Sequence, residues 1–127
     1  MYNKELDVLT LISPSSEWPN SVIRALKAIN SSYRSPNFNI TTLRKTSFIT
    51  DKNFSAKFKF YVGFTPKSYL LYCRVRHAKK LIKNSNATIS HIAFDVGFET
   101  VSALNYSFKK IIGVTPTNYR MCDKLDE

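Results

Sequence analysis

Four side chains, Ser102, Asn105, Tyr106 and Lys109, stand at i, i+3, i+4 and i+7. On a helix that spacing puts them on one face. Fifty residues earlier, Lys52, Ser55, Ala56 and Lys59 occupy the same four offsets. These residue types suit contact chemistry rather than bond breaking. An Asn amide can pair with adenine, a Lys can donate to guanine, and small hydrogen-bonding side chains suit base edges. The Lys that ends each quartet is better placed for a phosphate. Asn53 and Val101, beside these sets, complete the base-reading candidates. The phosphate candidates are Thr41, Arg44, Lys45, Lys59, Thr88, Ser90 and Lys109; the hydroxyl residues mark helix N-termini, whose free amides attract anions. Other chemistries find little support. Ser, His and carboxylates are present without a nucleophile spacing, so no catalytic residue and no enzyme activity are expected. Cys73, Cys122, His77 and His91 fit no metal-ligand spacing, so neither a metal nor another cofactor is expected.

The charge fits a polyanionic partner. The 127 residues carry a net charge of +10, with acids concentrated at the ends. Residues 21–122 hold seventeen bases and three acids, net +14. Such a charge repels itself, and a polyanion would neutralise it; it also fits a solubilising surface. The first residues form too short an apolar run for a signal peptide, and no stretch approaches the roughly 18 apolar residues of a membrane helix. The expectation is a cytoplasmic protein with free thiols and no membrane partner.

A repeat supplies the elements that must position these side chains. Residues 58–69, FKFYVGFTPKSY, and 108–119, FKKIIGVTPTNY, share F-K-x-x-x-G-x-T-P-x-x-Y at an offset of fifty. Extended backwards, Phe48 pairs with Phe98, Thr50 with Thr100 and Phe54 with Leu104, which suggests two copies of one supersecondary unit. Each copy reads as a helix, a short turn and a longer helix, the helix-turn-helix pattern. In the second copy, Thr88 and Thr100 are expected to cap helices that end at Gly97 and Gly113, with Leu104, Phe108 and Ile111 facing the core. In the first, Thr50 is the expected cap, Gly63 the stop, and Phe54, Phe58 and Tyr61 the core face. Thr65-Pro66 and Thr115-Pro116 each place a cap before a Pro at the first helical position. Ahead of the repeat, Asn20 is the candidate cap of a helix carrying Val22, Ile23, Leu26, Ile29 and Tyr33, with Trp18 stapling it to the core.

The expected fold is all-α, about seven helices, with an N-terminal lead-in (1–19), a first helix-turn-helix subdomain (20–65), a linker helix (66–84), and a second subdomain with a C-terminal helix (85–127). A helix over 66–84 is about 28 Å long at roughly 1.5 Å per residue. Two readers on such a strut can reach successive major grooves, about 34 Å apart. Of the bases on that helix, Arg76, Lys79, Lys80 and Lys83 read as a solvated face with some reach to phosphate, while Arg74 is also a candidate structural residue.

The stretch Ile92–Phe98, IAFDVGF, followed after nine residues by Phe108–Arg120, FKKIIGVTPTNYR, resembles the signature of the AraC/XylS family of bacterial regulators. There I-A-x-x-x-G-F leads to F-K-x-x-x-G-x-x-P-x-x-Y-R. Arg74–Ile82, RVRHAKKLI, is similar to the family's linker helix. The resemblance covers about 38–120 and implies a homeodomain-like fold of two helix-turn-helix subdomains joined by a long helix. It also implies promoter binding that activates or less often represses transcription, with double-stranded DNA and RNA polymerase as partners. About 20 residues precede the first expected helix, too few for the ligand-binding domain most members carry. The chain therefore resembles the single-domain members, which bind as monomers, or a fragment of a longer regulator.

Three departures from the family pattern stand out. Tyr106 replaces a frequent Arg, and Ala56 an often basic or polar residue. In the first unit Leu43–Phe48 reads as one residue shorter than Ile92–Phe98, placing Arg44 at the small, buried position of Ala93 and Ser47 at that of Gly97. The expected accommodation is a rotated helix that exposes Arg44, and a first unit that supplies affinity more than sequence reading. The same departures leave open a rival reading, a protein-interaction module acting on another regulator or on RNA polymerase.

Overall fold

The computed structural model describes residues 11–125. Seven helices form in this range, with no strand among the described residues: α1 (Asn20–Ser32), α2 (Ile40–Thr46), α3 (Phe54–Val62), α4 (Pro66–Asn84), α5 (Ile89–Asp95), α6 (Val101–Ile112) and α7 (Pro116–Leu125). The all-α expectation is met. The side chains of Glu5, Asp7, Asp123, Asp126 and Glu127, five of the terminal acids, lie outside the described residues.

Helix starts and stops follow local chemistry. Thr65 and Thr115 each accept an amide bond three residues on, from Ser68 and Asn118, both at 3.2 Å. Pro66 and Pro116 then take the first helical positions, where no N–H is needed. α1 departs from expectation by one residue. Pro19, not Asn20, is its N-cap: the fixed ring holds φ at −56° while its carbonyl accepts from Val22 and Ile23.

Two apolar clusters divide the interior. Val22, Leu26, Ile29, Leu43, Phe54, Phe58 and Tyr69 build the first; Ile92, Val96, Leu104 and Phe108 build the second. α4 belongs to both. Its Tyr69, Leu70 and Cys73 enter the first cluster and its Val75, Ala78 and Ile82 the second. Trp18 packs on the first cluster, as expected of a staple. Tyr61 and Ile111, expected in the core, are instead 37% and 40% exposed. The inward positions at the ends of their helices go to Val62 and Ile112, one residue further round.

Arg74 sits on α4 at the division between the clusters. Only 8% exposed, it donates from Nε to the Tyr33 carbonyl at 2.7 Å and from Nη2 to those of Phe38 and Ser35 at 2.8 and 3.1 Å. Burial lowers its pKa from the ordinary arginine value, while the three carbonyls offset the cost of burying the charge. Tyr33 ends α1, so Arg74 occupies a carbonyl the helix itself leaves free. Gly97 closes over the same spot: a Cβ there would lie 2.4 Å from the Tyr33 oxygen and 2.7 Å from Arg74 Nε. An exposed ion pair, Arg34 to Asp95 at 3.0 Å, and a 2.8 Å hydrogen bond between the Tyr33 hydroxyl and His77 Nδ1 add to this seam.

The turn between α2 and α3 corrects the alignment of the repeat. Ile49 N–H donates to the Arg44 carbonyl as Phe98 N–H donates to that of Ala93, both at 2.9 Å. Leu43–Ile49 therefore matches Ile92–Phe98 residue for residue, and the offset here is forty-nine. Ile49, 7% exposed, takes the place of Phe98; Phe48, not Ser47, takes that of Gly97, with φ at +55° and 84% exposure. The missing residue lies between Ile49 and Phe54. α3 consequently begins at Phe54, with Asn53 rather than Thr50 at its cap and no side-chain capping bond. Arg44 does hold the position of Ala93, but the helix does not rotate to release it. Its Nη2 donates to the Asp51 carbonyl at 2.7 Å and its guanidinium lies 5.5 Å from the Phe54 ring centre.

The four positive-φ residues, Phe48, Gly63, Gly97 and Gly113, make separable predictions for thermal unfolding. Gly97→Ala should cost more than about 3 kcal/mol, because left-handed strain adds to a backbone clash. Gly63→Ala and Gly113→Ala, with similar φ and open space around them, should cost about 1–2 kcal/mol each. Phe48→Gly should stabilise by about 0.5–1 kcal/mol, since relief of strain exceeds the flexibility gained by the unfolded chain.

Candidate nucleic-acid interface

α6 presents the face anticipated from the repeat, and α3 presents three of its four anticipated residues. In α6 the buried Leu104, Ser107 and Phe108 turn inward, and Ser102, Asn105, Tyr106 and Lys109 are all exposed. Val101 does not join them: it packs on the second cluster, so its expected place beside the reading face is not found. Thr100 caps α6 by accepting from Ala103 N–H at 3.0 Å. The cap fixes the direction of the first turn, from which Ser102 and Asn105 project. Tyr106, 72% exposed, stands at the rim of an apolar groove with Phe64, Leu71, Tyr72 and Ile111.

In α3, Phe54, Phe58 and Val62 are buried at four-residue intervals, and Ser55, Ala56 and Lys59 are exposed. Lys52 and Asn53 are also exposed but precede the helix, in the turn. That turn is held by charge and backbone together. Asp51 Oδ1 accepts from Asn53 N–H at 2.8 Å, and Asp51 Oδ2 pairs with Lys57 Nζ at 3.0 Å. The amide bond and the ammonium hold its carboxyl below the usual aspartate range. Arg44 is half-buried against this turn, so its guanidinium braces the start of α3 rather than standing free for a phosphate.

The helix N-termini are partly occupied. Asn39 Oδ1 accepts from Thr42 N–H at 2.9 Å, and Thr88 Oγ1 from His91 N–H at 3.1 Å. Thr41, Lys45, Thr88 and Ser90 are exposed near those starts or on the same short helices. Lys59 and Lys109 lie in the last turns of α3 and α6, exposed on the outward side.

The roles of three arginines in this framework were not legible in the sequence, although Arg120 ends the family motif. Arg120 donates to the carbonyls of Ile82, Ala87 and Ser85 at 3.3, 2.6 and 3.2 Å, pinning the α4–α5 connection that aims α5. Arg24 donates to the Ser47 carbonyl at 3.2 Å, and Arg34 bridges to Asp95. Their acceptors are carbonyls of loops and of the last turn of α4, together with Asp95, all distant in the chain, which leave no local signature. Among the described residues no cluster of His, Cys, Asp or Glu has the makeup of a metal site. Burial pushes the Cys73 thiol up to about 12, far from reactive thiolate.

Comparison with known proteins places this arrangement. A family model described as a helix-turn-helix domain matches residues 45–121. An AraC-like protein of Streptomyces lividans is 33% identical over 95 residues, which cover 73% of this chain and 31% of that protein. The HTH-type transcriptional regulator AlkR of Acinetobacter baylyi is 31% identical over 96 residues, 76% of this chain and 31% of AlkR. The chain spans about a third of the length of the curated relatives it matches. Among solved structures, the C-terminal domain of the response regulator yesN of Fusobacterium nucleatum matches with a TM-score of 0.73 and 30% identity, over 80% of this chain and 99% of that one. The DNA-binding domain of AdpA, solved with a target DNA, shares the fold at a TM-score of 0.75 and 22% identity, over 86% of this chain and 97% of its own. The chain belongs to the AraC/XylS family of helix-turn-helix domains.

Proposed function

We propose that the chain is a sequence-specific DNA-binding transcription regulator, without enzymatic activity, that places α3 and α6 in successive major grooves of a promoter. The paired outward sets carry this reading: α6, and α3 with the turn before it, expose matched residues within a segment of net charge +14. α4, 19 residues and about 28 Å long, joins a first unit, 20–65, to a second, 85–127. That length suits readers about one turn of B-DNA apart, so one copy of the chain suffices for two sub-sites. The transcription-regulator relatives, one of them the lactose operon transcription activator of Staphylococcus xylosus, support a role in activation, with RNA polymerase as the partner we propose. No described helix is long and apolar enough to cross a membrane, which fits action on DNA in the bacterial cytoplasm.

Roles divide along the two faces. Asn105 and Ser102, on the well-capped α6, hydrogen-bond base edges, and Tyr106 contacts a base or a phosphate. Lys52, Asn53 and Ser55 offer the first unit's polar contacts. Lys59, Lys109 and Lys45, with the exposed Thr41, Thr88 and Ser90, hold the phosphate backbone. Arg44 acts from behind, by fixing the turn into α3.

Selection of binding sites from random duplex DNA, followed by affinity measurements across salt, tests this. Contact with about six phosphates should cost roughly three decades of affinity between 50 and 200 mM salt. Asn105→Ala should relax preference at one base position by about 1–3 kcal/mol. Lys109→Ala should weaken all sequences alike and lower the salt slope by about one. No binding to any duplex at low salt would overturn the reading.

A further inference from the structure

Phe60 is an anomaly on the first reading helix. It is 80% exposed although α3 buries three other apolar residues. It lies four residues after Ala56, so the two share a stripe on the side away from Phe54, Phe58 and Val62. In the second unit the corresponding pair, fifty residues on, is Tyr106 and Lys110. The first unit has thus replaced polar reach with an apolar surface at the position where α3 faces outward.

The ring is held. It meets the Tyr61 ring edge-on, centroids 5.0 Å apart at 81°, and Tyr61 in turn packs 6.2 Å from Trp18. A ring braced this way has less freedom to lose on binding. α3 and the turn before it also carry the exposed Lys52, Lys57 and Lys59, of which Lys57 pairs with Asp51 at 3.0 Å. A helix that joins exposed cations to an apolar knob suits a partner that is anionic outside and apolar at one point within. The major groove of DNA is such a partner: phosphates line its edges, and the C5-methyl of thymine is the apolar group on its floor. The small Ala56 lets the helix axis approach, bringing the ring one turn along within reach of that methyl.

We propose that Ala56 and Phe60 make α3 a reader of thymine methyl groups, so that the first unit selects its sub-site by apolar contact in addition to the polar contacts of Lys52, Asn53 and Ser55. This rests on the DNA-binding reading above. The first unit then contributes specificity as well as affinity, and the two units read by different chemistries.

The test replaces thymines one at a time by deoxyuridine, which removes only the methyl, in a duplex selected from random sequence by the full chain. The wild-type chain should lose about four-fold in affinity at one or two thymines within a single sub-site, the worth of one buried methyl. Phe60→Ala should bind the thymine and deoxyuridine duplexes equally at those positions, and Phe60→Leu should keep part of the difference. Asn105→Ala should keep all of it. Because the ring is exposed, both Phe60 variants should unfold at the wild-type temperature; the Leu variant carries the test if the Ala variant does not. A Phe60→Ala chain that still distinguishes thymine from deoxyuridine, or a selected site with no methyl-sensitive thymine, overturns the proposal and leaves DNA binding intact. Failure to select any duplex overturns both.

Discussion

The seam between the two apolar clusters is built around one buried cation, Arg74. The Arg74 guanidinium meets three carbonyls of the connection between α1 and α2, and Gly97 from the second unit lies against the same atoms. A charge taken out of water is tolerated only with such partners. The partners are backbone atoms, so their positions are set by where the helices end. The contact therefore ties the end of α1, the middle of α4 and the turn before α6 into one geometry. Moving any of them would leave a buried charge or a buried carbonyl without its mate.

That geometry explains why the two units differ. The second unit has a Gly at its turn, Thr caps on both helices and an uninterrupted repeat pattern, and α6 emerges with an ordered polar face. The first unit lacks one residue between Ile49 and Phe54. It compensates with ionic and backbone bracing: Arg44 on the Asp51 carbonyl, Asp51 on the Asn53 amide and Lys57, Arg24 on the Ser47 carbonyl. The outcome is a shorter helix carrying small and apolar residues outward. The difference between the units is thus one of contact chemistry as much as of decay.

Much of this was legible in the sequence. The repeat fixed the number of helices and the Thr-Pro starts of α4 and α7, because caps and proline act locally. The outward residues of α6 followed from helical spacing alone. The register of the first turn did not, because Phe48 and Phe98 share a residue type, and a pattern match cannot see which of Phe48 and Ile49 points inward. Tyr61 and Ile111 were misplaced because their helices roll slightly to bury Val62 and Ile112, a matter of packing between elements. The role of Arg44 was half visible. Its position opposite Ala93 could be read, but the carbonyl that receives it belongs to a turn whose start was itself misread. Phe60 drew no notice, since an apolar residue near a helix end ordinarily reads as core.

The shared helix has a consequence for how the protein comes apart. α4 gives Tyr69, Leu70 and Cys73 to one cluster and Val75, Ala78 and Ile82 to the other. If one unit melted, half of α4 would lose its apolar cover, and an uncovered helical segment of that length is marginal in water. The remaining unit would keep a fraying wall. The two halves are thus coupled through a common helix: a state with one unit folded and the other open gains little over full unfolding and is sparsely populated. Damage to either unit is therefore felt by both together.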